Sequence, residues 1–460
     1  MQNFKNKHIA ILGLSTEGQD AAKFFSKQHI AFTCFDRRNK YELGEVYEEL
    51  SQHTNSFYLG GNYLDHLSDF DIIVRTPGMF LHDPYLIELR NKGINITSVT
   101  KLMFDLCTIP IIGITGTKGK GTTSTLICTM LQKAGLNVRL GGNVGTSLLS
   151  EIDEVNKDDW VVLELSSFQL EDLTKSPHIA VVLRITSDHL RNFDPLASNF
   201  HADRTAYVDA KKSIVTYQNA KDVAIVHADD PTSVSFGKET KAKKYYFSKT
   251  DPLATAYVDI NHVVVKWKNK TYEICRKDDI LLRGVHNLEN IAAASIASLA
   301  SGATITDIQH VARTFKGLEH RLEEVRKVKG VVYVNDTFST VPETTIAAIW
   351  SYDNPIILIL GGSEKGSDFD NLGKEIVKRN IKALIIIGQM TQRILSAVKN
   401  AHFHGVIITG CRTMHDVVQA AQKHAEPGDT VLLSPACASF DMFKNYKERG
   451  TLFKHEIRSL

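Results

Sequence analysis

Ile112-Gly113-Ile114-Thr115-Gly116-Thr117-Lys118-Gly119-Lys120-Gly121-Thr122-Thr123 is the stretch whose reading decides the fold. The apolar run from Ile109 to Ile114 predicts a buried strand, and the pattern from Thr122 to Leu136 predicts a helix. Strand, glycine-rich loop, lysine, hydroxyl and helix together make the layout of a phosphate-binding loop. Glycines let backbone N–H groups turn toward an anion, and the helix N-terminus adds positive potential. The segment Gly116, Thr117, Lys118, Gly119, Lys120, Gly121, Thr122 is therefore expected to hold a nucleoside triphosphate. Lys120 would reach the outer phosphates, and Thr122 would offer its hydroxyl to Mg²⁺. Two details depart from the common pattern. Gly116 and Gly119 stand closer than the usual spacing, and glycine rather than Ser or Thr follows the lysine. The competing reading is an ordinary glycine-rich turn between strand and helix.

Outward from this loop, the 460 residues are enough for about three domains. Hydrophobic residues at 43% and charged residues at 23% are ordinary for a globular protein. The net charge of +2 gives no case for a nucleic-acid or membrane partner. No apolar run reaches bilayer length, and the polar start, Met1 to Lys7, lacks a signal-peptide core. The six cysteines are scattered without metal-ligand spacing, which predicts a reduced, cytoplasmic protein.

Three segments differ in pattern. Up to residue 104, strands at His8–Leu14, Ala31–Phe35 and Asp71–Val74 alternate with a helix at Gln19–Gln28, as in a parallel sheet. Asp36 follows the first turn by about 20 residues, as in dinucleotide folds. The turn Gly13–Gly18 lacks the close glycine pair, so a nucleotide or phosphate at the strand ends is the better expectation, with Arg37 and Arg38 as counter-charges. From 105 to 318, Trp160–Leu163 ends at Glu164, and Ile179–Ile185 runs into Thr186-Ser187-Asp188-His189. Polar residues at such strand ends are where a metal and substrate site would be built. Each alone reads equally well as a solvated strand end or loop residue. Short β runs over 244–282 predict a small antiparallel flap. From 319 to 460, Val331–Asn335, Ile356–Gly361, Ala383–Gly388, Val406–Thr409 and Val431–Ser434 predict a second doubly wound unit. Its Gly361-Gly362-Ser363 loop is, alone, a weak nucleotide signal.

The order of these motifs resembles the Mur ligases, ATP-dependent amino-acid-adding enzymes of peptidoglycan synthesis. It is most similar to the members that add D-glutamate. The carrying segments are Gly116 to Thr123, Gly141 to Gly145, Leu163 to Glu171, Thr186 to His189, Gly284 to Asn290, Gly317 to Arg321, Asn335-Asp336 and Leu433 to Ser439. They span the whole chain in order. The resemblance implies an α/β fold of three domains. A Rossmann-like N-terminal domain (1–104) would hold the UDP substrate. A central P-loop ATPase with a mostly parallel sheet (105–318) would hold ATP. A Rossmann-like C-terminal domain (319–460) would hold the amino acid and part of ATP. It implies ATP and Mg²⁺, and small-molecule substrates: UDP-N-acetylmuramoyl-L-alanine and D-glutamate. The enzyme is expected to be a monomer.

Residue by residue, the resemblance makes Lys120 the phosphate-loop lysine. Thr122, Glu164 and His189 become metal-site groups, and Asn143 lies by the reacting carboxylate. Asn287, Arg321 and Asp336 would hold ATP. Ser15, Thr16, Asp36, Arg37 and Gly78 would contact the uridine nucleotide. Thr340, Lys365, Ser439 and Tyr446 would grip the amino acid, with Lys365 pairing its carboxylate.

Three features break the family pattern, the first being the Gly121-Thr122 order after the lysine. The family commonly carries a carbamylated lysine downstream of the strand-end histidine, helping to hold a second Mg²⁺. Counting from His189 places that position at Arg204, which stays protonated and is not expected to form a carbamate. Either Arg204 replaces the charge-neutralising role, or the register is displaced by one turn and Arg204 sits on a solvated face. The third break is Phe338, where the D-glutamate-adding members usually have lysine. It leaves L-glutamate, or another acidic residue, open as the acceptor. A non-catalytic nucleotide-binding relative is the alternative from another class. It would have to explain why Lys120, Glu164, His189 and Asp336 are all kept.

Overall fold

The structure, a computed structural model, describes residues 4–143, 147–190, 199–282, 284, 286–364 and 366–460. Its strands form three sheets. In the first, β1 (Ile9–Leu12), β2 (Phe32–Asp36), β3 (Phe57–Leu59), β4 (Ile72–Arg75) and β5 (Asn95–Ser98) lie in the order β3-β2-β1-β4-β5, every pair parallel. The short apolar runs of β1 and β4 are buried at every position, as strands covered on both faces must be.

The second sheet contains β6 (Ile111–Thr115), β7 (Val138–Gly142), β8 (Trp160–Glu164), β9 (Ile179–Val182), β10 (Val223–His227), β11 (Lys243–Ser248), β12 (Ala256–Asp259), β13 (His262–Trp267) and β14 (Lys270–Arg276). Their order is β14-β13-β12-β11-β10-β9-β6-β8-β7. Pairing is parallel from β7 to β12 and antiparallel only in β12-β13-β14. The expected flap is thus the far edge of this same sheet. Its first run, Lys243–Ser248, joins the parallel part against β10, which the expectation did not include.

The third sheet holds β15 (Glu323–Val328), β16 (Val331–Asn335), β17 (Ile356–Gly361), β18 (Ile381–Ile387), β19 (Val406–Thr409) and β20 (Thr430–Leu433), in the order β15-β16-β20-β17-β18-β19. Only the edge strand β15 is antiparallel.

Two compact units result. Met1–Ile280 with Val285–Phe315 carries the first two sheets, and Leu281–Gly284 with Lys316–Leu460 carries the third. None of the six cysteines is paired. Among the described residues, no helix is long and apolar enough to cross a membrane.

The helix after the glycine loop runs Lys120–Lys133, earlier at both ends than expected. Gly119, at φ +88, turns the chain directly into the helix, so Lys120 is its first residue. At the other end Gly135 adopts φ +78 and Leu136 N–H bonds back to Leu131 O, a glycine-made stop. β6 lies between β8 and β9, so their C-terminal ends open side by side where the loop begins.

Candidate active site

Gly119 caps the Lys120 helix in the left-handed conformation, with no side chain bonded to the first-turn N–H groups. Those donors remain for an anion. A Cβ at Gly119 would lie 2.6 Å from Asn290 Oδ1, so both backbone and space demand glycine. Lys120 Nζ lies over the loop, donating to Gly116 O (3.1 Å) and Thr117 O (3.2 Å). Thr117 braces the loop: its Oγ1 is 3.0 Å from Tyr207 OH and accepts Thr186 N–H at 2.9 Å. Lys118 points away to an exposed pair with Asp188 (3.4 Å). Gly121 is buried and Thr122 half-buried in the first turn. Behind the loop, Thr123 Oγ1 donates to Asn290 Oδ1 (3.3 Å), and Asn290 Nδ2 donates to Asn287 Oδ1 (2.9 Å). Asn290 thereby links Asn287 to the loop, a role the sequence reading did not assign.

A cavity of about 370 Å³ opens beside Lys120. Pro77 and Gly78 line it from the first sheet's domain; Lys120, Asn143, Ser167, Phe168, His189, Asn199, Tyr207 and Lys211 line it from the second. Glu164, at the end of β8, is 3% exposed. Asn143 Nδ2 donates to its Oε1 (3.0 Å), and its Oε2 is buried with no hydrogen-bond partner among the described residues. A buried carboxylate oxygen left open is costly and suits a cation. His189 sits at φ +56, an uncommon conformation for a non-glycine residue. His201 N–H donates to its carbonyl (2.9 Å) and helps fix it. Burial, reinforced by Lys120, Lys211 and Lys118 and opposed by Asp188, keeps the His189 imidazole below its usual pKa. Neutral imidazole is the metal-binding form.

Arg204 is not in this cavity. It starts the helix Arg204–Thr216, and its exposed guanidinium donates to Thr232 Oγ1 (2.9 Å). Two turns later, Lys211 lines the cavity instead. The structure agrees with the reading that puts Arg204 on a solvated face, but the lysine of this helix that lines the cavity is two turns on, not one. Lys211 is 1% exposed, and its Nζ donates to Thr115 Oγ1 (3.2 Å) and Gly116 O (3.1 Å). Burial, with Lys120 nearby, pushes this ammonium well below the usual lysine pKa.

Of the expected uridine contacts, Gly78 lines the cavity. A Cβ there would meet nothing within 4 Å, so the protein's own packing does not require glycine. Ser15 caps the helix Thr16–Lys27 without a side-chain bond, leaving its hydroxyl available. Asp36 serves its own turn, accepting Leu14 N–H (2.8 Å) and both the N–H (2.9 Å) and guanidinium (2.8 Å) of Arg38. Arg37 is exposed.

The second unit carries the remaining residues. Asp336, 3% exposed, accepts Leu322 N–H (3.1 Å) and Ser434 Oγ–H (2.8 Å), and burial pushes its pKa up to about 6. The Arg321 guanidinium lies 4.0 Å over the Phe338 ring, whose edge meets Tyr446 (5.1 Å). Phe338 thus acts as a platform for a cation. Arg449, fully buried, donates to Thr337 O (3.0 Å), Cys437 O (3.2 Å) and Ala438 O (3.2 Å), joining the loops that bear Thr340 and Ser439. Lys365 lies outside the described residues. The one described group of His, Cys, Asp or Glu side chains close enough to share an ion is Glu319, His320 and Glu323. Lys454 already neutralises it, pairing with both glutamates.

Three family models match in chain order: the Mur ligase MurD-like N-terminal domain over residues 7–98, the Mur ligase middle domain over 114–298, and the Mur ligase glutamate ligase domain over 320–437. The UDP-N-acetylmuramoylalanine–D-glutamate ligase of Clostridium tetani is 37% identical over 458 residues, 99% of this chain and 97% of that protein. The ligase of the same name from Symbiobacterium thermophilum is 38% identical over 457 residues, 99% and 98% of the two chains. The chain belongs to the Mur ligase family. Solved Mur ligases share its fold. UDP-N-acetylmuramate-alanine ligase MurC of Thermotoga maritima superposes with a TM-score of 0.61 at 13% identity over 98% of this chain and 99% of that one. MurF of Acinetobacter baumannii gives 0.62 at 17% identity over 79% and 82%. The lysine loop, Glu164, His189 and Lys211 all fall in the part matched by the Mur ligase middle domain.

Proposed function

We propose that this Mur ligase joins D-glutamate to UDP-N-acetylmuramoyl-L-alanine, at the expense of ATP, in peptidoglycan precursor synthesis. The observation that carries this reading is the single cavity lined by Gly78 on one side and by Lys120, Asn143 and His189 on the other. A UDP-linked substrate held at the first sheet can there offer its free carboxylate to the phosphate loop.

A carboxylate is a poor electrophile because oxide would have to leave. In the first step its oxygen attacks the γ-phosphorus of ATP, the bond to the β-phosphate oxygen breaks, and an acyl phosphate and ADP result. In the second, the neutral amine of the amino acid attacks the acyl carbon. The C–O bond to phosphate breaks, phosphate leaves, and the amine proton goes to solvent or phosphate. Lys120 leaves its two loop carbonyls to neutralise the transferring phosphoryl group, and the open N–H groups after Gly119 hold the other phosphates. Asn143 orients the carboxylate that receives the phosphoryl group. Asn287, Arg321 and Asp336 are the residues proposed to contact ATP. Thr340, Lys365, Ser439 and Tyr446 bind the amino acid.

Glu164, His189 and Thr122 would hold Mg²⁺. The open Glu164 oxygen and the neutral imidazole fit a hard dication. When bound, the ion supplies charge neutralisation between two approaching anions. Lys211, not Arg204, is the residue suited to a carbamate. Its buried amine is flanked by a hydroxyl and a carbonyl rather than a carboxylate, and burial favours the uncharged nucleophilic form. Its lone pair would attack CO₂, one C=O pair would move to oxygen, and a proton would leave, turning a disfavoured cation into an anion.

The test is phosphate release with Mg-ATP and UDP-N-acetylmuramoyl-L-alanine, adding D- or L-glutamate in parallel. Release with D-glutamate only is expected. Release with L-glutamate only would move the acceptor and make Phe338 the residue to examine. Release with neither, from a folded protein that binds ATP, would contradict the reading.

A further inference from the structure

Among the described residues, Asn199 is the one cavity-lining residue of the connection between His189 and the helix Arg204–Thr216 for which the chemistry above finds no use. It is 6% exposed. Its Nδ2 donates to two carbonyls of the first sheet's domain, Pro77 O (2.6 Å) and Met79 O (3.3 Å). Both partners are acceptors, so the orientation of the amide is set. Its Oδ1 is buried with no partner among the described residues. An asparagine so placed costs stability, so packing alone does not explain it.

The carbonyls it holds flank Gly78, the position where added bulk would meet only open space. The neighbours of Asn199 anchor it at both sides. The Phe200 ring stacks on Phe80 (centroids 5.0 Å, 23°), just past the same turn. His201 stacks on Phe168 (4.7 Å, 9°), bonds Ser167 Oγ through Nε2 (2.9 Å), and donates its N–H to His189 O (2.9 Å). Three successive side chains thus tie the Pro77–Phe80 turn to the strand ends that carry the chemistry.

We propose that Asn199 is a positioning residue for the UDP-linked substrate: it fixes the Pro77–Met79 turn so that the backbone at Gly78 meets the substrate in register with Lys120 and Asn143. The inference rests on the reading of Gly78 as a substrate contact and adds a residue of the central domain to that site. It makes the first substrate's affinity depend on a side chain that does not touch the reacting atoms.

The experiment compares Asn199→Asp and Asn199→Ala with the parent enzyme in the phosphate-release assay, varying each substrate in turn. Aspartate keeps the size but sets an acceptor against two carbonyls; alanine removes the whole carboxamide, the donor to both carbonyls included. The expected result is a KM for UDP-N-acetylmuramoyl-L-alanine raised about tenfold or more in Asn199→Asp and less in Asn199→Ala. The KM for ATP should stay within about twofold, with an unchanged thermal midpoint for Asn199→Ala. An unchanged KM for the UDP substrate in both variants overturns the proposal. So does a parallel rise in all three KM values, which would mark Asn199 as general scaffolding. If the parent enzyme itself shows no release dependent on the UDP substrate, the underlying reading fails and this inference falls with it.

Discussion

Of the glycine loops that follow central strands in this protein, the one after β6 and the one after β17 do different jobs. At Gly119 the left-handed turn feeds straight into a helix, with Lys120 first and the end N–H groups uncapped. At Gly361, φ is +112 and a Cβ would lie 2.0 Å from Ile387 O. Its N–H is taken by Pro435 O (2.7 Å), Ser363 pairs with Ala438, and the next helix starts only at Asp370. Both loops need glycine for their own backbone and packing, but only the first runs straight into a helix. Glycine alone therefore does not mark a phosphate site. What separates the two is where the turn leads: at Gly119 directly into a helix that opens with Lys120, at Gly361 into backbone pairing with a neighbouring loop.

Substitutions can break this contrast, and the largest effect is expected at Lys120. Lys120→Met should lower phosphate release by about 10³-fold or more with an unchanged thermal midpoint, because the lost charge acts in the transition state rather than in the fold. Lys211→Met should follow at about 10²-fold, read in the same assay, if its modified form helps neutralise the phosphates. Gly361→Ala should act on stability instead: urea unfolding should show a loss of about 2 kcal/mol or more, since backbone must move to admit the methyl group.

A smaller effect sharpens the same distinction between groups kept for ligands and groups kept for the fold. Glu17 is buried, its Oε1 accepts Gln169 Nε2–H (2.6 Å), and burial pushes its pKa up to about 7. A carboxyl raised in the folded state is stabilising in its protonated form. That contribution is present below about pH 4.5 and is lost as pH rises through about 7. Glu17→Gln should remove the loss, so its stability relative to the parent should rise between pH 5 and 8, by up to about 3 kcal/mol in urea unfolding. The smallest effect is expected at Arg204. Arg204→Lys should leave turnover within about twofold, and a larger loss would return Arg204 to the site.

The sheets were readable because most parallel strands are short, unbroken apolar runs, and the lysine loop because its residues sit consecutively. β7, half-exposed and ending in two glycines, and β10, a brief run between polar stretches, carried too little pattern. Lys120 and His189 were found from motifs at strand ends, Asn143 and Gly78 through the family resemblance, and all four line one cavity. Lys211, His201 and Asn199 were not found, because a count from His189 does not say which of the following residues face the cavity. Tyr207 and Asn290 were missed for another reason: each acts by bracing a residue distant in sequence, Thr117 in one case and Asn287 in the other. Asp36 had the right position for a ligand contact, yet the structure commits its carboxylate to Leu14 and Arg38.

The central claim is that the Lys120 loop passes a phosphoryl group to the substrate's own carboxylate. It is tested most directly by labelling both carboxylate oxygens of UDP-N-acetylmuramoyl-L-alanine with ¹⁸O and analysing the phosphate released with D-glutamate by mass spectrometry. An acyl phosphate predicts one ¹⁸O in each phosphate and one retained in the new amide. Unlabelled phosphate, formed alongside the amide product, would contradict the account.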